Sequence, residues 1–317
     1  GHITTDASKL PKITEANCTV GVLLMRSYVL SSDTAHYDAV IKSLEARGIR
    51  VIPAYAGGLD GRPAIEAFFA ENGETKIDAL VSLTGFSLVG GPAYNDSVAA
   101  VKLLKALDVP YISAHPLEFQ TLEQWESSAQ GLGPIETTML IALPELDGAT
   151  NPTVFAGRHG ENSGADTSLG SKSKRMAPCL ERIEKLAARG EKLAHLRRAK
   201  VHDKKVAIVL FGFPPNAGAA GTAAYMNVFA SLHNTMKAMR DRGYKLDVPA
   251  TVGDLREAVL KGSAEKYGQD ANVAAHVSAD VIVAETPWLS DIETQWGAAP
   301  GRVQSDGRGV FVLGKEF

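Results

Sequence analysis

The chain has 317 residues, 45% of them hydrophobic and 22% charged, with a formal net charge of -3. That length suits roughly two domains and a large buried core, and the composition excludes a long disordered class. The near-neutral balance argues against a general nucleic-acid or membrane-surface binder.

Cys18 and Cys179 are far apart in sequence and form no metal or redox motif, so they read as reduced thiols of a cytoplasmic compartment. No stretch approaches the roughly 18 consecutive apolar residues of a membrane helix, and no signal peptide is visible. The chain starts Gly1-His2 without Met and finishes on an apolar run from Val310. It is expected to be a piece of a longer polypeptide.

Residues 1–17 read as a leader or extended arm. Residues 19–25 (TVGVLLM) form a first buried strand, 37–47 a helix ending at Gly48, and 50–54 a second strand. A helix over 63–71 leads to a third strand at 77–83, which delivers a glycine-rich loop containing Gly85, Gly90 and Gly91. A helix over 96–107 is followed by a fourth strand at 109–113, ending at Ala114-His115-Pro116. Helices over 117–128 and 134–142 precede a short strand at 153–156 and Gly157-Arg158-His159-Gly160. This alternation of apolar runs and amphipathic helices predicts a doubly wound, mostly parallel sheet. Ligands bind such sheets beyond the carboxyl ends of the strands, so the glycine loops and His115 should converge on one rim.

Residues 160–175 are polar and rich in Gly and Ser, which predicts a mobile surface loop. A long helix over 177–199 reads as a connector into a second α/β unit. The expected fold is therefore α/β, with two doubly wound, mostly parallel-sheet units joined by a long helix. The expected division is an arm over 1–17, a first domain over 18–160, loop and connector over 161–200, and a second unit over 201–317.

The second unit opens with Val206, Ala207, Ile208, Val209, Leu210 and Phe211, a continuous apolar run that predicts a strand buried on both faces. Pro214-Pro215-Asn216 ends the run, and Gly218 and Gly221 lie in the loop that follows. A helix capped near Thr222 then carries Tyr225, Val228, Phe229, Leu232, Met236 and Met239 at helical spacing. A strand, a glycine loop and a helix N-terminus make a potential anion site, though neither nucleotide-binding glycine pattern fits. The bland alternative is a tight βα connection. A helix over 254–261, a strand over 281–284 and a segment with Trp288 and Trp296 complete the chain.

His115 and His159 each follow a strand, where a ligand or general base competes with an ordinary hydrogen-bonded histidine. Glu118, Glu123 and Glu136 read as solvated or at favourable helix ends. Glu285, Asp291 and Glu293 surround Trp288 and Trp296 and could form an acidic, aromatic-walled patch. Arg158 and His159 with Arg62 could hold a carboxylate or phosphate. No serine elbow, H-E-x-x-H or Cys/His zinc spacing is present, and the metal ligands stay unassigned.

Several strings go further: SLTGFSLVGGPA at 82–93, LDVPYISAHPLEFQTLEQW at 107–125, ALPELDG at 142–148, VFAGR at 154–158, FPPNAGAAGTAAYMNVFASLHN at 213–234 and WGAAPGRVQSDGRGVFVLGK at 296–315. Together they resemble the large, porphyrin-binding subunits of magnesium chelatases, and are similar to the cobalt chelatase large subunits. The first two strings favour magnesium over cobalt.

The resemblance implies insertion of Mg2+ into protoporphyrin IX in (bacterio)chlorophyll synthesis. ATP would be hydrolysed by partner AAA-type subunits (I and D), in the cytoplasm or a plastid stroma. It implies a family that continues beyond Phe317, where a His-Gly motif belongs to the metal and porphyrin site, so that this piece would be inactive alone. The family loop carries a polar pair where this chain has Ala219-Ala220, which leaves only Gly218 and Gly221 of that loop.

The expected site residues are His115, Glu285 and Glu293 as catalytic groups. Gly85, Gly90 and Gly91 on one rim, and Pro215, Asn216, Gly218, Gly221 and Thr222 on the other, are expected to contact the pigment. A non-catalytic scaffold that docks the ATPase subunits is the competing expectation, and a cobalt chelatase a further one.

Overall fold

A computed structural model describes residues 3–11, 16–91, 94–160, 175–210, 222–223, 225–260, 273–296 and 310–314. The chain divides into two compact units, Gly1–Ala199 and Lys200–Phe317.

In the first unit the elements run β1 (Cys18–Leu23), α1 (Arg26–Leu30), α2 (Ala35–Glu45), β2 (Ile49–Ala54) and α3 (Arg62–Phe68). A small hairpin of β3 (Ala70–Glu71) and β4 (Glu74–Thr75) follows, then β5 (Ala79–Ser82), α4 (Ser97–Leu107), β6 (Tyr111–Thr121) and α5 (Leu122–Ser127). Next, α6 (Pro134–Glu136) runs through a π turn (Thr137–Ala142) into α7 (Leu143–Leu146). The unit ends with β7 (Thr150–Arg158), β8 (Ala177–Pro178) and α8 (Leu180–Arg198).

The sheet order is β2-β1-β5-β6-β7-β8, parallel except for β8 at the edge. The chain leaves β1 toward β2 and returns across β1 to β5, so the topological switch point lies between β1 and β5.

Side-chain alternation builds the two faces. Val20, Val22, Val81, Ile112 and Phe155 meet Tyr37, Val40 and Leu44 of α2 and Ile183, Leu186 and Ala187 of α8. On the other face Ile52, Leu80 and Tyr111 meet Ile65, Phe69 and Ala100. Gly21 belongs to this second face, where a Cβ would come within 2.9 Å of Ile77 Cδ1.

Two expectations for this unit are corrected. The helix expected from 117 begins only at Leu122, because β6 continues through Thr121 with register shifts after His115 and Pro116. A capping box between Thr121 and Gln124 sets the start. The helix expected to act as a connector is α8, and it packs on the sheet instead. Ile183, Leu186, Ala187 and Ala194 are all buried in the core it shares with α2. An apolar stripe needs a partner surface, and the nearest one is its own unit.

The second unit has a 3-10 turn (Val201–Asp203), a hairpin of β9 (Thr222–Ala223) and β10 (Met226–Asn227), α9 (Val228–Asp241), α10 (Val252–Leu260), β11 (Val273–Ser278), α11 (Ala279–Glu285), α12 (Leu289–Trp296) and β12 (Val310–Gly314). Its described strands pair antiparallel, β9 with β10 and β11 with β12.

The expected strand from Val206 is not formed through Leu210. Val206, Ile208 and Val209 are 55%, 48% and 81% exposed, and among the described residues no strand pairs with them. An apolar run becomes a buried strand only where neighbouring strands and layers cover it. The helix expected near Thr222 starts at Val228, with the Asn227 side chain accepting from Ala230 N–H at 3.0 Å. The strand expected at 281–284 is helical, since Ser278 caps the backbone N–H of Val281 and Asp280 lies in the first turn. The polar 160–175 segment lies outside the described residues from 161 to 174.

Candidate functional site

The carboxyl ends of β1, β5, β6 and β7 form one rim of the first unit. Two strands lend it polar groups on the same face. Ser82 lies opposite Ser113 in register, and two residues on come Thr84 and His115. Ser82 Oγ and Thr84 Oγ1 are 2.9 Å apart. His115 is 1% exposed, and neither of its ring nitrogens has a hydrogen-bond partner among the described residues. Burial alone lowers its pKa from 6.5 to about 4, so the imidazole is neutral at pH 7.

Gly85 is packed directly against this histidine. Its φ is +71°, and a Cβ would meet His115 Cβ at 3.1 Å and Pro116 Cδ at 3.3 Å. Gly90, at φ +110°, has no room either, since a Cβ would stand 2.2 Å from the Tyr94 carbonyl oxygen. Gly91 lies against Leu59. The expected convergence thus holds for Gly85 and His115, whereas Gly90 and Gly91 pack against neighbouring loops. A buried carboxylate anchors the loop between them. Asp147 accepts from Ser87 Oγ and Leu88 N–H at 2.7 Å each, and from Asn95 Nδ2 at 3.0 Å.

A second cluster lines the same rim. Glu118 Oε1 accepts from the Tyr28 hydroxyl, and Glu118 Oε2 from Arg158 Nη1 at 2.8 Å. Burial first, and Glu118 next, push the Tyr28 hydroxyl well above its ordinary pKa, which keeps it a donor. Behind Tyr28, His36 is fully buried among Tyr28, Tyr37 and Phe155, with ring centroids 4.0–5.8 Å away and no hydrogen-bond partner among the described residues. Burial lowers its pKa to about 4, against the pull of Asp33, Glu118 and Asp38.

The cations expected to receive a carboxylate or phosphate are each engaged within the fold. Arg158 holds Glu118, Arg62 holds Asp60 at 2.6 Å, and His159 Nδ1 lies 2.6 Å from Glu123. Burial opposes ionisation of Glu123, but the Gly160 N–H and His159 outweigh it and hold the carboxyl at about 2. Glu136, expected to be solvated, is 3% exposed and accepts from Gln120 Nε2 at 2.5 Å and from Gly133 N–H at 3.2 Å.

The other expected residues belong to the second unit. Thr222 lies in β9, paired with Asn227. Glu285 is exposed at the end of α11, Glu293 is half-buried in α12, and Trp288 is 56% exposed. Pro215, Asn216, Gly218 and Gly221 lie outside the described residues. Among the described residues no three His, Cys, Asp or Glu side chains cluster as metal ligands, and no helix is long and apolar enough to cross a membrane. Sequence reasoning missed His36 and Tyr28. The one signal for His36 was its place beside Tyr37 on the inward stripe of the amphipathic α2, and Tyr28, in the short α1, carried none.

Residues 4–317 match the CobN/Magnesium Chelatase family. The chain belongs to this family. It is 62% identical over 324 residues to the H-type magnesium-chelatase subunit of Cereibacter sphaeroides, covering 100% of this chain and 27% of that relative. It is 40% identical over 311 residues to the chloroplastic magnesium-chelatase protein ChlH of Oryza sativa subsp. indica, covering 96% of this chain and 22% of the rice protein. Among solved structures, the catalytic subunit of cobaltochelatase from Mycobacterium tuberculosis superposes with a TM-score of 0.71 at 25% identity, covering 96% of this chain and 26% of that one. This CobN/magnesium chelatase chain therefore spans about a quarter of the length of the relatives it matches.

Proposed function

We propose that this chain is part of the porphyrin-binding subunit of a magnesium chelatase. With partner ATPase subunits (I and D), that enzyme would insert Mg2+ into protoporphyrin IX in the cytoplasm, for (bacterio)chlorophyll synthesis. The observation that carries the reading is 62% identity to an H-type magnesium-chelatase subunit across the whole chain, against 25% to an aerobic cobaltochelatase CobN protein. Both Cys18 and Cys179 are free thiols, as a reducing compartment favours.

Insertion requires that the pyrrole N–H protons be accepted and that a hard, strongly hydrated cation shed water. Of the proposed catalytic groups, His115 is a neutral imidazole at pH 7, the form that accepts a proton. Its depressed proton affinity makes it a weak base, so on this reading it acts by orienting rather than by holding a proton. Glu285 and Glu293 supply carboxylates in the second unit, where Thr222, Pro215, Asn216, Gly218 and Gly221 would contact the pigment. Gly85, Gly90 and Gly91 would shape the first rim.

A second reading, a scaffold that docks the ATPase subunits, gains from the internal pairing of Arg62, Arg158 and His159, which leaves these three committed elsewhere than to a propionate.

A titration of the chain with deuteroporphyrin IX, read by quenching of Trp125, Trp288 and Trp296, tests the choice. The pigment-site reading expects saturable binding at micromolar concentration or tighter, weakened by Gly221→Trp. A linear, non-saturable response overturns it for this part of the enzyme and leaves the scaffold.

A further inference from the structure

A cavity of about 260 Å3 opens at the switch point of the first unit, where β1 and β5 part. Such crevices receive ligands in doubly wound sheets because the diverging connections leave a gap that neither covers. The walls are Met25, Phe86, Pro116, Phe119, Met139 and Leu140. Two aromatic faces and two thioethers favour a flat aromatic ring over an aliphatic chain. Phe119 is 64% exposed, an apolar cost that a seated ring would remove.

The polar edge is sparse and specific: Ser27, Tyr28, Thr84 and Glu118. Each Glu118 oxygen already accepts one hydrogen bond, from Tyr28 or from Arg158, and each keeps a further lone-pair site. Arg158 balances the carboxylate charge, so the edge is an acceptor without net charge. A cation gains little there, an anion meets the carboxylate, and a neutral N–H matches it.

We propose that this crevice binds a neutral, flat N-heteroaromatic ligand of one to two fused rings, its ring between Phe86, Phe119 and the two methionines and its N–H donated to Glu118. The cavity adjoins Gly85 and His115 of the proposed first rim, whose neighbours Thr84, Phe86 and Pro116 line it, but the proposal is argued from its own walls and edge and stands whether or not the porphyrin reading does.

The test uses the whole chain with 13C-methyl methionine and two probes, indole and 1-methylindole, in which a methyl group replaces the N–H donor's hydrogen. The chain has six methionines, and Met25 and Met139 alone line the cavity. Indole should shift those two methyl signals saturably and leave buried Met176 unmoved. 1-Methylindole should bind roughly tenfold more weakly, and Glu118→Gln should weaken indole by a similar factor while leaving 1-methylindole unchanged. The Met176 signal at its wild-type position checks that the variant is folded. The proposal is overturned if indole leaves Met25 and Met139 unshifted, if all six signals move together, or if the two probes bind equally.

Discussion

Arg198, in the last turn of α8, clasps Asp78, with Nε 2.6 Å from Oδ1 and Nη2 3.2 Å from Oδ2. Asp78 is 2% exposed and also accepts the Thr19 backbone N–H at 2.8 Å, so one carboxylate ties α8 to the start of β1. The guanidinium is largely exposed, which weakens the pair's net worth, while the carboxylate is not. Asp78→Ala should therefore cost about 1–3 kcal/mol, because it strands the Thr19 N–H while the exposed Arg198 guanidinium stays solvated. Arg198→Ala should cost about 1–3 kcal/mol. Urea midpoints compare the two, and an Asp78→Ala loss no larger than that of a surface substitution would show that α8 docks by apolar packing alone.

Acidification should destabilise the first unit through its two buried histidines. His36 and His115 have folded pKa values of about 4, below the ordinary 6.5. Between pH 6.5 and 4 the unfolded chain binds protons that the folded chain refuses, so stability rises with pH across that window and falls as pH drops. The upper bound is on the order of 3 kcal/mol per histidine. Glu123 acts lower down, its contribution present above about 4.5 and lost toward 2. Urea midpoints at pH 7.0, 5.5 and 4.5 should show the slope, and His36→Phe should flatten it by about half. An unchanged slope in that variant would assign the acid sensitivity elsewhere.

Gly85→Ala should destabilise by about 1–3 kcal/mol, since the new methyl meets His115 and Pro116 in a left-handed backbone. Gly57 offers the control, having no atom within 4 Å of its would-be Cβ. Thermal unfolding of both variants separates a conformational requirement from general loop sensitivity. Equal shifts would remove the close contact as the cause.

Asp147→Ala should strand the Leu88 N–H and remove one hydrogen bond each from Ser87, which keeps the Val89 carbonyl, and Asn95, which keeps Ser87 Oγ, a loss of about 1–3 kcal/mol. Asp147→Asn keeps one acceptor oxygen and should recover part of it. Hydrogen exchange at Leu88 reports the loop directly, and continued protection in the alanine variant would mean that packing, not this carboxylate, holds it.

Periodicity alone carried much of the first unit. Continuous apolar runs at β1, β2 and β5, each followed by an amphipathic helix, are local patterns that need only the chain's own repeat to be read. The family was also legible, because strings such as those at 82–93 and 107–125 are specific in combination. Tertiary structure decided what neighbours decide. Whether α8 bridges or docks depends on which apolar surface lies closest, and Val206, Ile208 and Val209 remain exposed for want of a pairing strand among the described residues. Val281, Ile282 and Val283 went to helix although β-branched, with Ser278 capping the helix start. The polar constellation of Tyr28, Glu118 and Arg158 joins residues from three separate stretches of chain, and no sequence spacing encodes that meeting. Local free energies are written in the chain; distances between segments far apart in it are settled only by the packing that brings them together.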